Sequence, residues 1–196
     1  MEILFATHNA HKVQEIQSLL PDDLRILTLS AAGWVEEIPE PFESLEQNAR
    51  AKILFALDKT GIKNGFSEDS GLFINALGGK PGVHSAHYAG PQRNDADNIQ
   101  RVLTELEATA DRSAFFQTII CLIWEGQEIF FRGICSGTLL SELRGNKGFG
   151  YDPIFQPDGA DKTFAQMSLT EKNKYSHRKK AMQQLIDFLR QEQKSS

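Results

Sequence analysis

Residues 3–20 read ILFATHNAHKVQEIQSLL. Ile3–Ala6 is a short apolar run of β character, and Val13, Ile16, Leu19 and Leu20 then recur at helical spacing until Pro21 and Asp22 stop the pattern. A strand therefore passes through a tight polar turn into a helix within the first twenty residues.

The alternation continues outward. Ser44 followed by Gln47 forms a capping-box pattern ahead of Leu45, Ala49, Ile53, Ala56 and Leu57, so a second helix is predicted to start there and to be broken by Gly61 and Gly65. Phe66–Ser70 and Leu72–Leu77 read as strand, Gly78-Gly79-Lys80-Pro81-Gly82 as loop, and Ile99, Val102, Leu103 and Leu106 as a third helix. Ala114–Trp124 and Glu128–Ser136 flank Gly126 and predict a long β-hairpin. Ser168 with Glu171 repeats the capping-box pattern, and Ala181, Met182, Leu185, Ile186 and Leu189 form a last amphipathic face behind a cap at Ser176. Helices interleaved with strands, plus a hairpin, predict a mixed-sheet α/β or α+β protein.

A chain of 196 residues, 40% hydrophobic and 24% charged, has the composition of an ordinary folded domain. It shows no repeat and no linker, so a single domain over 1–196 is expected. No apolar run approaches the roughly 18 residues of a membrane span, and the opening Met1-Glu2 lacks the charged start of a signal sequence, so a cytoplasmic protein without a membrane partner is expected. Cys121 and Cys135 both lie in apolar, β-like runs, as buried free thiols do. The net charge of −5 argues against general affinity for nucleic acid. Residues 162–196 nevertheless carry +5, and a basic arm beside an acidic body suits a small anionic ligand held together with a cation.

Four stretches carry candidate chemistry. Thr7, His8, Asn9, Ala10, His11 and Lys12 connect the first strand to its helix, where backbone N–H groups and the positive end of the helix dipole favour an anion, although the glycine pattern of a P-loop is absent. The turn reads equally as a helix cap with a solvated lysine. Ser67-Glu68-Asp69-Ser70-Gly71 sets two carboxylates side by side on a strand; neighbours on a strand face opposite ways, so one faces the ligand and the other is structural. Hard oxygen donors of this kind suit Mg²⁺, and one of Glu36, Glu37, Glu40, Glu43 and Glu46 is a candidate second ligand. Phe149, Gly150, Tyr151 and Asp152 sit in a glycine-rich loop that offers a stacking face and a hydrogen-bond acceptor to a base and sugar, or simply packing anchors. Lys172, His177 and Arg178 stand on or beside the last helices, as ligand donors or as a basic solvated face. His84 and His87 have ligand spacing but no third partner for zinc.

Together THNAHKVQE (7–15), SEDSG (67–71), GGKPGVHSAHYAG (78–90), GFGYDPIF (148–155) and SHR (176–178) resemble, in order and spacing, the inosine triphosphate pyrophosphatase family, also called HAM1-like. The resemblance spans nearly the whole chain. It implies Mg²⁺-dependent hydrolysis of ITP, dITP and XTP to the monophosphate and pyrophosphate. It also implies a homodimer, each subunit built on a long, twisted mixed sheet flanked by helices in two lobes with a central cleft. Residue by residue, it makes Thr7 through Lys12 triphosphate contacts, Glu40 and Asp69 metal ligands, Asp69 also the proton acceptor, and Ser70 a substrate contact. Phe149, Gly150, Tyr151 and Asp152 become the base and sugar wall, with Lys172, His177 and Arg178 as further nucleotide contacts.

Two positions depart from the common pattern: Glu68 stands where many members carry aspartate, and His87 where the loop often has arginine. The expected reaction is attack of water on the α-phosphorus with departure of pyrophosphate, Asp69 either taking the proton or orienting the water. Donors from His177, Arg178 or the backbone meeting O6 would select a 6-keto purine. Two other functions share part of these features: a Maf-like pyrophosphatase for modified pyrimidine nucleotides, and a non-catalytic nucleotide- or RNA-binding module.

Overall fold

The computed structural model describes residues 1–195. Strand β1 (Glu2–Phe5) runs through the turn into α1 (Ala10–Gln17), whose cap is Asn9. A short strand follows, β2 (Arg25–Thr28), which the sequence pattern does not announce. It exists by pairing: Ile26 and Leu27 lie opposite Ile3 and Leu4 in a parallel ladder. Helix α2 (Leu45–Thr60) begins at Ser44, whose hydroxyl accepts from the Gln47 N–H, and ends on Gly61, whose φ of 71° is left-handed.

Strand β3 (Gly65–Ile74) is longer than the first predicted run and stops short of the end of the second, because residues 75–77 turn into a 3₁₀ helix before the left-handed Gly78. It pairs in parallel with β1 and antiparallel with β4 (Pro81–Gly82). Helix α3 (Asp95–Glu105) is capped by Asn94. The predicted hairpin is present as β5 (Ser113–Trp124) and β6 (Gln127–Leu139). Both turn residues, Glu125 and Gly126, have positive φ, the geometry that matches strand twist in a two-residue loop. Strand β7 (Phe155–Pro157) lies antiparallel on β6, and α4 (Leu169–Lys172) and α5 (His177–Ser195) close the chain. The capping box at Ser168 and Glu171 is formed in both directions. One seven-stranded mixed sheet results, in the order β2-β1-β3-β5-β6-β7, with β4 on β3.

The chain divides into two compact units, one comprising residues 1–69, 118–133 and 178 onward, the other 70–117 and 134–177. Each has its own apolar core. The first packs Ile3, Phe5, Ile16, Phe66, Ile120 and Leu122 with Met182, Leu185 and Leu189 of α5, and Phe5 stacks on Phe66 at 4.6 Å. The second gathers Leu72, Ile74, Val102, Leu106, Phe116, Tyr151, Phe155 and Phe164. Cys121 and Cys135 are buried free thiols. Among the described residues no helix is long and apolar enough to cross a membrane.

Candidate functional site

In the first unit, the turn between β1 and α1 is organised by its own side chains. Asn9 Oδ1 accepts from the N–H groups of His11 and Lys12 at 3.0 and 3.1 Å, and Thr7 Oγ1 accepts from Asn9 N–H at 3.2 Å. The cap thus occupies two of the donors that an uncapped helix start would offer to an anion. His8, Asn9, Ala10 and His11 are exposed, Thr7 and Lys12 half-buried.

Lys12 reaches inward to Glu68, with Nζ at 3.2 Å from Oε1. Glu68 in turn accepts Arg178 Nε on both oxygens at 2.9 and 2.8 Å, and the far side of the guanidinium hydrogen-bonds to Glu15. This alternating chain of Lys12, Glu68, Arg178 and Glu15 sums to zero charge. Burial alone would raise the Glu68 pKa, but Arg178 and then Lys12 outweigh it and hold the carboxyl at about 2. Burial works against the Arg178 charge, and Glu68 with Glu15 more than restores it. Arg178 is 2% exposed, so its guanidinium is engaged by carboxylates inside the unit rather than presented from a solvated basic face.

The next residue of β3 turns the other way, as strand geometry requires. Asp69 Oδ1 accepts from Lys52 Nζ at 3.0 Å, its Oδ2 lies 3.3 Å from Asn48 Nδ2, and the same lysine hydrogen-bonds to Glu40. Burial raises the Asp69 pKa most; Lys52 and Lys12 pull it down, Glu40 adds to the rise, and the net direction is upward. Burial also penalises the Lys52 charge, but Asp69 and Glu40 overcome this and raise its pKa, so the ammonium stays protonated. Asn48 fixes the segment carrying Glu40: its amide donates to Phe42 O at 2.9 Å and its oxygen accepts from Phe42 N–H at 3.0 Å. Ser67 ties β3 to α2 by donating to Ala49 O.

Sequence reasoning missed Lys52 and Asn48. Both lie on the buried face of α2 with Leu45, Ala49, Ile53 and Ala56. Two polar residues inside an apolar stripe are the signal that could have found them, since a buried lysine or asparagine needs partners.

The two carboxylates that the resemblance makes metal ligands thus converge on one cation, the Lys52 ammonium. That convergence, with oxygen donors alone, fits a hard divalent ion such as Mg²⁺. Among the described residues no three or more His, Cys, Asp or Glu gather as a metal site.

In the second unit, Asp152 Oδ2 accepts from Phe149 N–H at 3.0 Å and from Lys172 Nζ at 2.6 Å. Lys172, 4% exposed, also sits 5.3 Å from the centre of the Phe149 ring and 5.0 Å from that of Phe164. The Gly150 N–H donates to Asp95 at 2.7 Å. Tyr151 is buried, with its hydroxyl donating to Ser85 O at 2.9 Å, while Phe149 is half-buried. Gly148 has a φ of +75°, and a Cβ there would run into the Asp152 carboxylate, so glycine is required. His177 is 3% exposed and stacks on Phe116 at 4.8 Å. Ser70, half-buried, begins this unit. Gly71, the next residue, lies against the Gly82 backbone, which a Cβ would strike.

A mixed sheet with a capped strand-to-helix turn and two opposed, cation-paired carboxylates on one strand defines an α/β protein with a polar centre built for charge. Sequence comparison makes the assignment specific: a sequence model of the Ham1 family matches residues 3–188, and the chain belongs to that family. It is 48% identical over 190 residues to a protein of Flavobacterium psychrophilum named dITP/XTP pyrophosphatase, covering 97% of this chain and 100% of that one. A protein of the same name from Flavobacterium johnsoniae is 46% identical over 189 residues, 96% and 98% of the two chains. Among solved structures, a HAM1 protein from Coxiella burnetii has a TM-score of 0.88 at 38% identity, covering 97% of this chain and 99% of that one. The Staphylococcus aureus Ham1 protein has a TM-score of 0.87 at 35% identity, covering 98% and 100%.

Proposed function

We propose that the chain is a Mg²⁺-dependent pyrophosphohydrolase that converts non-canonical purine nucleoside triphosphates (dITP, XTP and ITP) to the monophosphate and pyrophosphate. Full-length likeness to proteins named dITP/XTP pyrophosphatase supports the substrate class. The observation that carries the chemistry is the convergence of Glu40 and Asp69 on a single cation position, in the same unit as Lys12 and its turn. Glu40 and Asp69 would hold the metal, which when bound supplies positive charge to offset that of the phosphates.

Lys12 and the start of α1 would receive the triphosphate, with Thr7 through His11 lining the turn. Asp69 would take the proton as water oxygen bonds to the α-phosphorus and the bond from that phosphorus to the bridging oxygen breaks, pyrophosphate carrying away the electron pair. Phe149, Gly150, Tyr151 and Asp152 would form the base and sugar wall, Ser70 a substrate contact, and Lys172, His177 and Arg178 further nucleotide contacts, with donors from His177, Arg178 or the backbone meeting a 6-keto oxygen. The Glu68 and Glu15 carboxylates that engage Arg178 would hold its guanidinium in place.

A single family match over residues 3–188 supports one functional domain, and the net charge of −5 supports a small-molecule substrate rather than nucleic acid. A cytoplasmic homodimer is proposed on the resemblance. The test is pyrophosphate release with Mg²⁺ across dITP, XTP, ITP, dGTP, ATP and a modified UTP, run also in ¹⁸O-water. Release confined to the inosine and xanthosine nucleotides, with label in the monophosphate, is the expected result; preference for the modified UTP, or label in pyrophosphate, would overturn it.

A further inference from the structure

Glu40 and Asp69 are metal ligands only in the proposed function, and the role inferred for Lys52 rests on that reading. In the structure both carboxylates already hold a cation belonging to the chain. Lys52 enters from the buried face of α2, hydrogen-bonds to Glu40 and, at 3.0 Å, to Asp69, and its side chain is only 8% exposed. An ammonium so enclosed is held there by its anionic partners, because desolvating it without them is costly.

We infer that Lys52 is a built-in competitor for the metal position: its ammonium and a divalent cation exclude one another at the paired carboxylates, and a polyphosphate ends the competition by giving the ammonium a new anionic partner. Lys52, Glu40 and Asp69 together carry −1. Adding a divalent cation makes the group +1, with two cations drawing on the same pair of carboxylates, so one must yield. Asn48 cannot substitute for the lysine, since its amide is neutral and divides its donors between Phe42 O and Asp69. Lys12 is engaged by Glu68 at 3.2 Å.

The nucleotide-free protein accordingly binds divalent ions weakly, and metal and nucleotide strengthen each other's binding reciprocally. Lys52 thereby keeps Glu40 and Asp69 together and charge-balanced while no nucleotide is present.

The test is Mn²⁺ binding to nucleotide-free protein, followed by electron paramagnetic resonance. Lys52→Met, which keeps the apolar stem and removes the charge, is expected to bind Mn²⁺ at least about tenfold more tightly than wild type. Lys52→Arg stays weak, and adding Glu40→Gln to Lys52→Met abolishes the gain. Equal or weaker Mn²⁺ binding by Lys52→Met would overturn the inference. Should Lys52→Met not fold, the wild-type protein labelled with ¹³C at lysine Cε gives the answer: the Lys52 resonance is expected to move in step with Mg²⁺ occupancy, and a resonance unmoved at saturation would overturn it. Neither measurement involves turnover, so a failure of the pyrophosphatase reading would appear in the product assay and not here.

Discussion

Replacing Glu68 by glutamine tests the ion chain that joins β3 to α1 and α5. The carboxylate is 1% exposed and is held by Arg178 at 2.8 Å and Lys12 at 3.2 Å. Burial pushes its pKa up, the two cations pull harder, and it falls from 4.5 to about 2. The unfolded carboxyl therefore binds a proton more readily than the folded one, so Glu68 contributes stability that is complete above 4.5 and is lost as pH falls toward 2. At about 1.4 kcal/mol per pH unit, this amounts to about 3 kcal/mol at neutral pH and about 1 kcal/mol near pH 3. Glutamine keeps the shape but removes the negative charge that Arg178 and Lys12 share at Glu68, and breaking a buried pair costs about 3–5 kcal/mol by mutational precedent. Urea denaturation of both proteins at neutral and acid pH reads it directly. The variant is expected to be less stable by about 3 kcal/mol at pH 7, with the gap narrowing by about 2 kcal/mol near pH 3. A gap under about 1 kcal/mol at pH 7, or one that does not narrow with acid, would refute the reasoning.

Arg178→Ala leaves Glu15 and Glu68 buried without their shared guanidinium, so a stability loss of about 3–5 kcal/mol is expected in the same assay, partly recovered by Arg178→Lys. An unchanged denaturation midpoint with lost nucleotide use would mean that Arg178 serves ligand and not fold. Burial pushes the Cys121 thiol up to about 12, so iodoacetamide at mildly alkaline pH is expected to spare it in the native protein and modify it in denaturant, as read by mass spectrometry.

Much of the architecture was legible because its signals are local. The strand-to-helix opening, the Ser44 cap, the Gly61 stop and the hairpin turn at Gly126 are each encoded within a few residues. β2, β4 and β7, at 4, 2 and 3 residues, were not, because they are too short to show a pattern and are strands only by virtue of the partners they pair with. The site divides in the same way. Adjacent carboxylates on a strand are expected to face opposite ways, and Glu68 and Asp69 take different hydrogen-bond partners, Arg178 for one and Lys52 with Asn48 for the other. Which cations meet them is a long-range matter: Arg178 lies 110 residues from Glu68, and Lys52 is hidden in a stripe that reads as apolar. A helix-start position suggested that Arg178 points at a ligand; its ion pairs with Glu15 and Glu68 had no local signal.

The measurement closest to the central claim compares initial pyrophosphate release from dITP and XTP by wild type and Asp69→Asn, with both proteins verified as folded. The wild type is expected to release pyrophosphate, and the variant to do so at least about a hundredfold more slowly, the usual lower bound for removing a proton acceptor. Turnover by Asp69→Asn within a few-fold of wild type, or no release by the wild type, would contradict the account.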